Sequence, residues 1–133
     1  MNKLIAMSFS LIVLAGCGAP SGGRQAVPDQ LSSRAQTSAK LHTELASSYY
    51  ERMQLGVALG EIDKALQADR NYAPAYNMRG LIHMDLREYK EAEEDFQQSL
   101  RLDKNDSETH NNYGWFLCQR GKEIESITHF MTA

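Results

Sequence analysis

The residues of this chain whose chemistry could be put to work are four histidines, two cysteines and one dense acidic run. His42, His83, His110 and His129 fall in separate segments, and none forms an H-E-x-x-H pair or similar metal-ligand spacing. The run Glu91, Glu93, Glu94 and Asp95 reads as the solvated outer face of a helix. A nucleophile elbow and a phosphate-binding glycine loop are both absent from the sequence. The expectation is therefore a protein with no catalytic residue, no metal, no cofactor and no small-molecule substrate. Two cysteines are too few for a disulfide scaffold or a four-cysteine zinc site.

Cys17 stands in a more informative place. Lys3 provides a positive start, Leu4 to Ala15 is an apolar run, and Leu14-Ala15-Gly16-Cys17 follows. Twelve helical residues rise about 18 Å, well short of a hydrocarbon core roughly 30 Å thick, so the run reads as an export signal and not a span. The order of charge, apolar run, small residues and cysteine resembles a bacterial lipobox. That resemblance implies cleavage before Cys17, acylation of Cys17, and a lipid anchor in the membrane. Gly18 stands where an aspartate would resemble an inner-membrane retention signal, so the implied location is the periplasmic face of a Gram-negative outer membrane. Residues 1–16 are then signal peptide. Residues 17–38, rich in Gly, Pro, Ser, Ala and Gln, read as the lipidated cysteine and a flexible tether, with helix possible after Leu31.

The elements that position everything else repeat. The 133 residues carry a net charge of −3 and are 42% hydrophobic, which describes one ordinary globular domain without the basic footprint of a nucleic-acid binder. From residue 39 the chain matches itself at an offset of 34 residues. Ala46, Gly80 and Gly114 align, as do Ala58, Ala92 and Ser126, and Ile62, Phe96 and Phe130. Leu66-x-x-Asp69-x-Asn71 recurs as Leu100-x-x-Asp103-x-Asn105. This period is that of the tetratricopeptide repeat, a pair of antiparallel helices whose small residues let the backbones approach. The predicted fold is an all-α solenoid with repeats at 39–72, 73–106 and 107–133. Its helices fall near 39–52, 57–69, 73–86, 90–103, 107–120 and from 123, with turns at Gly56, Asp69–Asn71, Asp103–Asp106 and Gly121. Repeat packing falls to Ala46, Ala58, Gly80, Ala92, Gly114 and Ser126. A full third repeat would run to 140, so the pattern predicts that the chain is a truncated part of a longer protein.

In such a solenoid the first helix of each repeat lines a concave face through positions 2, 5, 9, 12 and 13 of the repeat. Tyr50, Leu81, Met84, Trp115 and Cys118 then form an apolar stripe, flanked by Asn77, Asn111 and Gln119, able to hold a peptide backbone. The stripe has a second reading, as packing against the next repeat. Thr43 and Ser47 stand at two positions of the basic clamp used by chaperone-tail-binding repeats, so that partner class is not expected. Cys118 reads as a small hydrophobe ahead of a redox site.

The segment His110-Asn111-Asn112-Tyr113-Gly114-Trp115-Phe116-Leu117-Cys118-Gln119-Arg120-Gly121 resembles the signature of the PilF/PilW family of type IV pilus biogenesis lipoproteins. Ala75-Tyr76-Asn77-Met78-Arg79-Gly80 and Tyr89-Lys90-Glu91-Ala92 also fit that family, as does the order of lipobox, tether and repeats. The resemblance implies an outer-membrane scaffold, a pilotin, that helps the pilus secretin localise and multimerise. Its partners would be that secretin or other pilus-assembly proteins, and the membrane through the lipid. The alternative is a repeat lipoprotein serving another envelope machine, in outer-membrane protein assembly or peptidoglycan synthesis.

Overall fold

The computed structural model describes residues 28–133, which form six helices and, among those residues, no strand. They are α1 Pro28–Tyr50, α2 Leu55–Ala68, α3 Ala73–Asp85, α4 Tyr89–Leu102, α5 Ser107–Gln119 and α6 Glu123–Thr132. Cys17, the lipobox and the first part of the expected tether lie outside the described residues. From Pro28 onward the tether expectation is corrected, because residues 28–38 are already helix. The side chains of residues 29–38 are almost all exposed, so propensity and not packing holds them. Proline suits a first helical position, Asp29 sits favourably in the first turn, and Gln30, Leu31, Arg34, Ala35 and Gln36 are good helix formers.

Helices pair as α1 with α2, α3 with α4 and α5 with α6. Each hairpin closes at its fifteenth position, where Met53, Arg87 and Gly121 all take left-handed backbone (φ 57°, 63° and 73°). The amide of the next residue then reaches back five residues, from Gln54 to Tyr49, Glu88 to His83 and Lys122 to Leu117. That bond gathers a carbonyl that the helix end leaves free. Gly121 is the expected turn residue; Gly56 is not one, since it lies in the first turn of α2 and Met53 takes the bend. Between repeats, Asp69 and Asp103 accept from the amides of Asn71 and Asn105, and Asp106 caps α5 by accepting from the amide of Thr109 at 2.9 Å.

The small residues do what their spacing predicts. Ala46, Ala58, Gly80, Ala92, Gly114 and Ser126 are all buried, and they face the second helix of their own repeat or the first. The first set is matched to its neighbour by volume. A Cβ on Gly80 would stand 2.8 Å from the Phe96 ring, and one on Gly114 2.9 Å from Phe130. Repeat one has Ala46 and the smaller Ile62 at the same two places, both fully buried. Ser126 stands where alanine occurs in the other repeats, and its hydroxyl donates to the Gly114 carbonyl at 2.8 Å.

A second within-repeat brace joins positions 4 and 23. His42 meets Glu61 at 2.7 Å and His110 meets His129 at 2.9 Å. In repeat two position 4 is Tyr76, and Arg79 at position 7 makes the brace instead, reaching Asp95 at position 23 through Nε and Nη2 at 2.6–3.0 Å. Asp95 is thus buried and paired, and Glu93 is half-buried against Lys122 and Tyr113, which corrects the reading of the whole acidic run as solvated. Only Glu91 and Glu94 are exposed.

Candidate protein-binding groove

Curvature follows from which helices meet. α1 touches α3 and α3 touches α5, whereas α2 and α4, and likewise α4 and α6, do not come together. The first helices therefore draw close on the inner face and the second helices splay on the outer one. On the inner face lies a shallow cavity of about 180 Å³, walled by Lys40, Thr43 and Ser47 of α1, Pro74 and Asn77 of α3, and Glu108 of α5. These are positions 2, 5 and 9 of repeat one, 2 and 5 of repeat two, and 2 of repeat three.

The expected stripe divides in two. Tyr50, Leu81 and Met84 are half-buried and pack against the core clusters, with Leu81 touching both. They are largely inter-repeat packing, the second of the two readings of the stripe. The Tyr50 hydroxyl is pushed up to about 12, first by burial and then by the neighbouring Asp85 carboxylate. Trp115, Cys118, Asn111 and Gln119 form the free part, all exposed along α5. Trp115 leaves 54% of its surface open, an unusual state for so large an aromatic side chain. Cys118 is an exposed thiol and not a buried small hydrophobe.

Asn77 is in the groove wall but already engaged. Only 4% exposed, it donates to Glu108 Oε1 at 3.3 Å and accepts from Asn112 Nδ2 at 3.1 Å. The amide ties repeat two to repeat three and keeps one N–H and one lone pair for a visitor. Sequence reasoning selected Asn111 and passed over Asn112, Tyr72 and Met78. Asn112 sits one position round the helix, and the only signal for it was its place facing Asn77 across the repeat boundary. Glu108 and Lys40 were assigned to the inner face but not to the site.

The shape is that of a protein-interaction module: a tetratricopeptide-repeat solenoid with an open concave face. Comparison with known proteins agrees on the fold. The chain matches the tetratricopeptide-repeat family over residues 73–106 and again over 96–128. It is 35% identical over 105 residues to an uncharacterized protein of Haemophilus influenzae, covering 74% of this chain and 55% of that one. The crystal structure of PilW, a widely conserved type IV pilus biogenesis factor, is 33% identical with a TM-score of 0.68, covering 71% of this chain and 44% of that one. RNA polymerase II-associated protein 3 of Xenopus tropicalis is 33% identical over 90 residues, 68% of this chain but 13% of that protein. The chain thus spans about half the length of the first of these curated relatives and a small part of the other.

Proposed function

We propose that this protein is a lipid-anchored outer-membrane scaffold of type IV pilus biogenesis, which promotes localisation and multimerisation of the pilus secretin. The observation that carries the reading is the likeness to PilW, at 33% identity across 71% of the chain. It is joined by the lipobox ending in Cys17 and by the segment His110–Gly121, both read from the sequence. No residue of the groove is arranged for bond making. The work is therefore concentration and orientation: the lipid holds the repeats at the membrane, and the groove holds a segment of the partner there.

The test replaces Cys17 by alanine in cells that assemble pili. The expected result is a folded protein that leaves the membrane fraction, with a several-fold loss of secretin multimers on gels. Normal multimers and piliation with the variant would remove the pilotin role. Co-purification of an outer-membrane-protein assembly or peptidoglycan-synthesis complex, without secretin, would transfer the scaffold to that machine.

A further inference from the structure

The inner face of the repeats carries more acids than bases. Across the concave positions the acids are Glu51, Asp85 and Glu108, joined by Glu44, which also lines the cavity; the single cation is Lys40. Lys40 lies 3.9 Å from Glu44, an exposed pair one helical turn apart. Glu51, Asp85 and Glu108 take part in no salt bridge among the described residues.

The cations are turned elsewhere. Arg79 is locked on Asp95 between α3 and α4, Lys122 on Glu93, and Lys64 on Glu61. Arg52 and Arg120 leave from the turns that end α1 and α5, and Arg120 lies over the Tyr89 ring of α4 at 4.2 Å. The inner face thus keeps a surplus of carboxylates, with Lys40 as its cation. Trp115 stands open two turns along α5 from Glu108, and its ring face favours a cation or an apolar side chain over an anion. Asn77, in the wall of the same cavity, is held in place by Glu108 and Asn112.

We infer that the groove takes a cationic segment of a partner protein, with lysine or arginine residues flanking one large apolar anchor that seats at Trp115. This rests on the protein-binding reading of the groove and deepens it by giving the partner's charge. An acidic segment is disfavoured on the same ground, since it would bring carboxylates against Glu44 and Glu108 with Lys40 as its only counter-charge.

The experiment uses the full-length chain in non-ionic detergent and pooled random twelve-residue peptides sorted by net charge, read by Trp115 fluorescence and by recovery on the immobilised protein. Each exposed carboxylate–cation pair is worth roughly two- to threefold in affinity at low salt, so three pairs give about tenfold. The expected result is about tenfold tighter binding of pools at +3 than at −3. Most of that preference should vanish at 0.5 M salt, where the Debye length falls to about 4 Å. It should also vanish in the variant carrying Glu44→Gln, Glu51→Gln, Asp85→Asn and Glu108→Gln, whose helicity is checked by circular dichroism. If that variant loses its helicity, single Glu44→Gln and Glu51→Gln changes, at exposed sites, should each lower the preference two- to threefold. Trp115-dependent binding that favours acidic pools, or shows no charge bias, overturns the charge assignment and leaves the groove standing. Failure of every pool to bind removes both.

Discussion

The contact between Gly80 and Phe96 offers the sharpest test of how the repeats pack. Gly80→Ala places a methyl group 2.8 Å from Cε1, 2.9 Å from Cδ1 and 3.0 Å from Cζ of Phe96. Phe96 is fully buried, with Tyr113 and Phe116 rings centred 5.6 and 5.8 Å away, so its ring has nowhere to go. Alanine gains about 1 kcal/mol over glycine in a helix interior, while overpacking a tight core costs about 1–3 kcal/mol. Three contacts at or under 3.0 Å on a fully buried ring put that cost at about 2–3 kcal/mol, so the net is a loss of about 1–2 kcal/mol, or a fall in melting temperature of roughly 4–12 °C for a domain of this size. Gly114→Ala makes nearly the same clash with Phe130, but that ring is 43% exposed and can swing aside. Its change should stay within about 0.5 kcal/mol of zero.

The pairing seen in repeat one supplies the control. Phe96→Ile alone leaves a cavity and costs about 2 kcal/mol. Combined with Gly80→Ala it recreates the Ala46–Ile62 arrangement, so the double variant should be about 1–2 kcal/mol more stable than the two losses added. Urea titration followed by circular dichroism measures all four proteins. If Gly80→Ala is as stable as the parent, or the double variant is additive within about 0.5 kcal/mol, volume matching is not what selects glycine there.

Three further outcomes follow from the same structure. Arg87→Gly relieves a left-handed residue at φ 63° and should stabilise by about 1 kcal/mol, whereas Gly121→Ala at φ 73° should destabilise by a similar amount; urea midpoints read both. His129 is held below its ordinary value of 6.5, by burial first and then by His110, so the folded chain binds fewer protons there than the unfolded one. Its contribution to stability is full above pH 6.5 and is lost as the pH falls from there. Thermal melts between pH 7.5 and 5 should therefore show a steeper decline in the parent than in His129→Gln, and identical slopes would refute the assignment. Trp115→Ala, at an exposed site, should abolish recovery of a bound segment while moving the melting temperature by less than about 2 °C.

Much of the fold is legible in the amino-acid order because each repeat solves the same local problem. Apolar and small residues returning every 34 positions place Ala46, Gly80 and Gly114 opposite a second helix without knowledge of any distant contact. Helix ends are read less well. Met53 and Arg87 occupy the same bend as Gly121, yet only glycine advertises a left-handed conformation, and the hairpin closure imposes it on the other two. The helical stretch 28–38 was hidden by a composition that suits a linker equally well, since exposed residues give no apolar rhythm. Asp95 sat inside an acidic run that looked solvated, and only the approach of Arg79 from the facing helix shows it buried.

The division at the groove has the same origin. Periodicity, with the architecture of the repeat family it matches, determined the helix pairs, the inner face and the list of side chains expected to point towards it, because those depend on contacts within a repeat and with its neighbour. Which of those side chains stay free was decided only by tertiary structure. Tyr50 packs against the first core cluster, Leu81 fills the space between two core clusters, and Asn77 is bound by Glu108 and Asn112 from the next repeat. Such pairings span 31 and 35 residues and turn on ångström-scale reach across a repeat boundary, a quantity that helical period does not carry. Trp115 is left open for the complementary reason: it stands on the same face, but no side chain of the described repeats covers it.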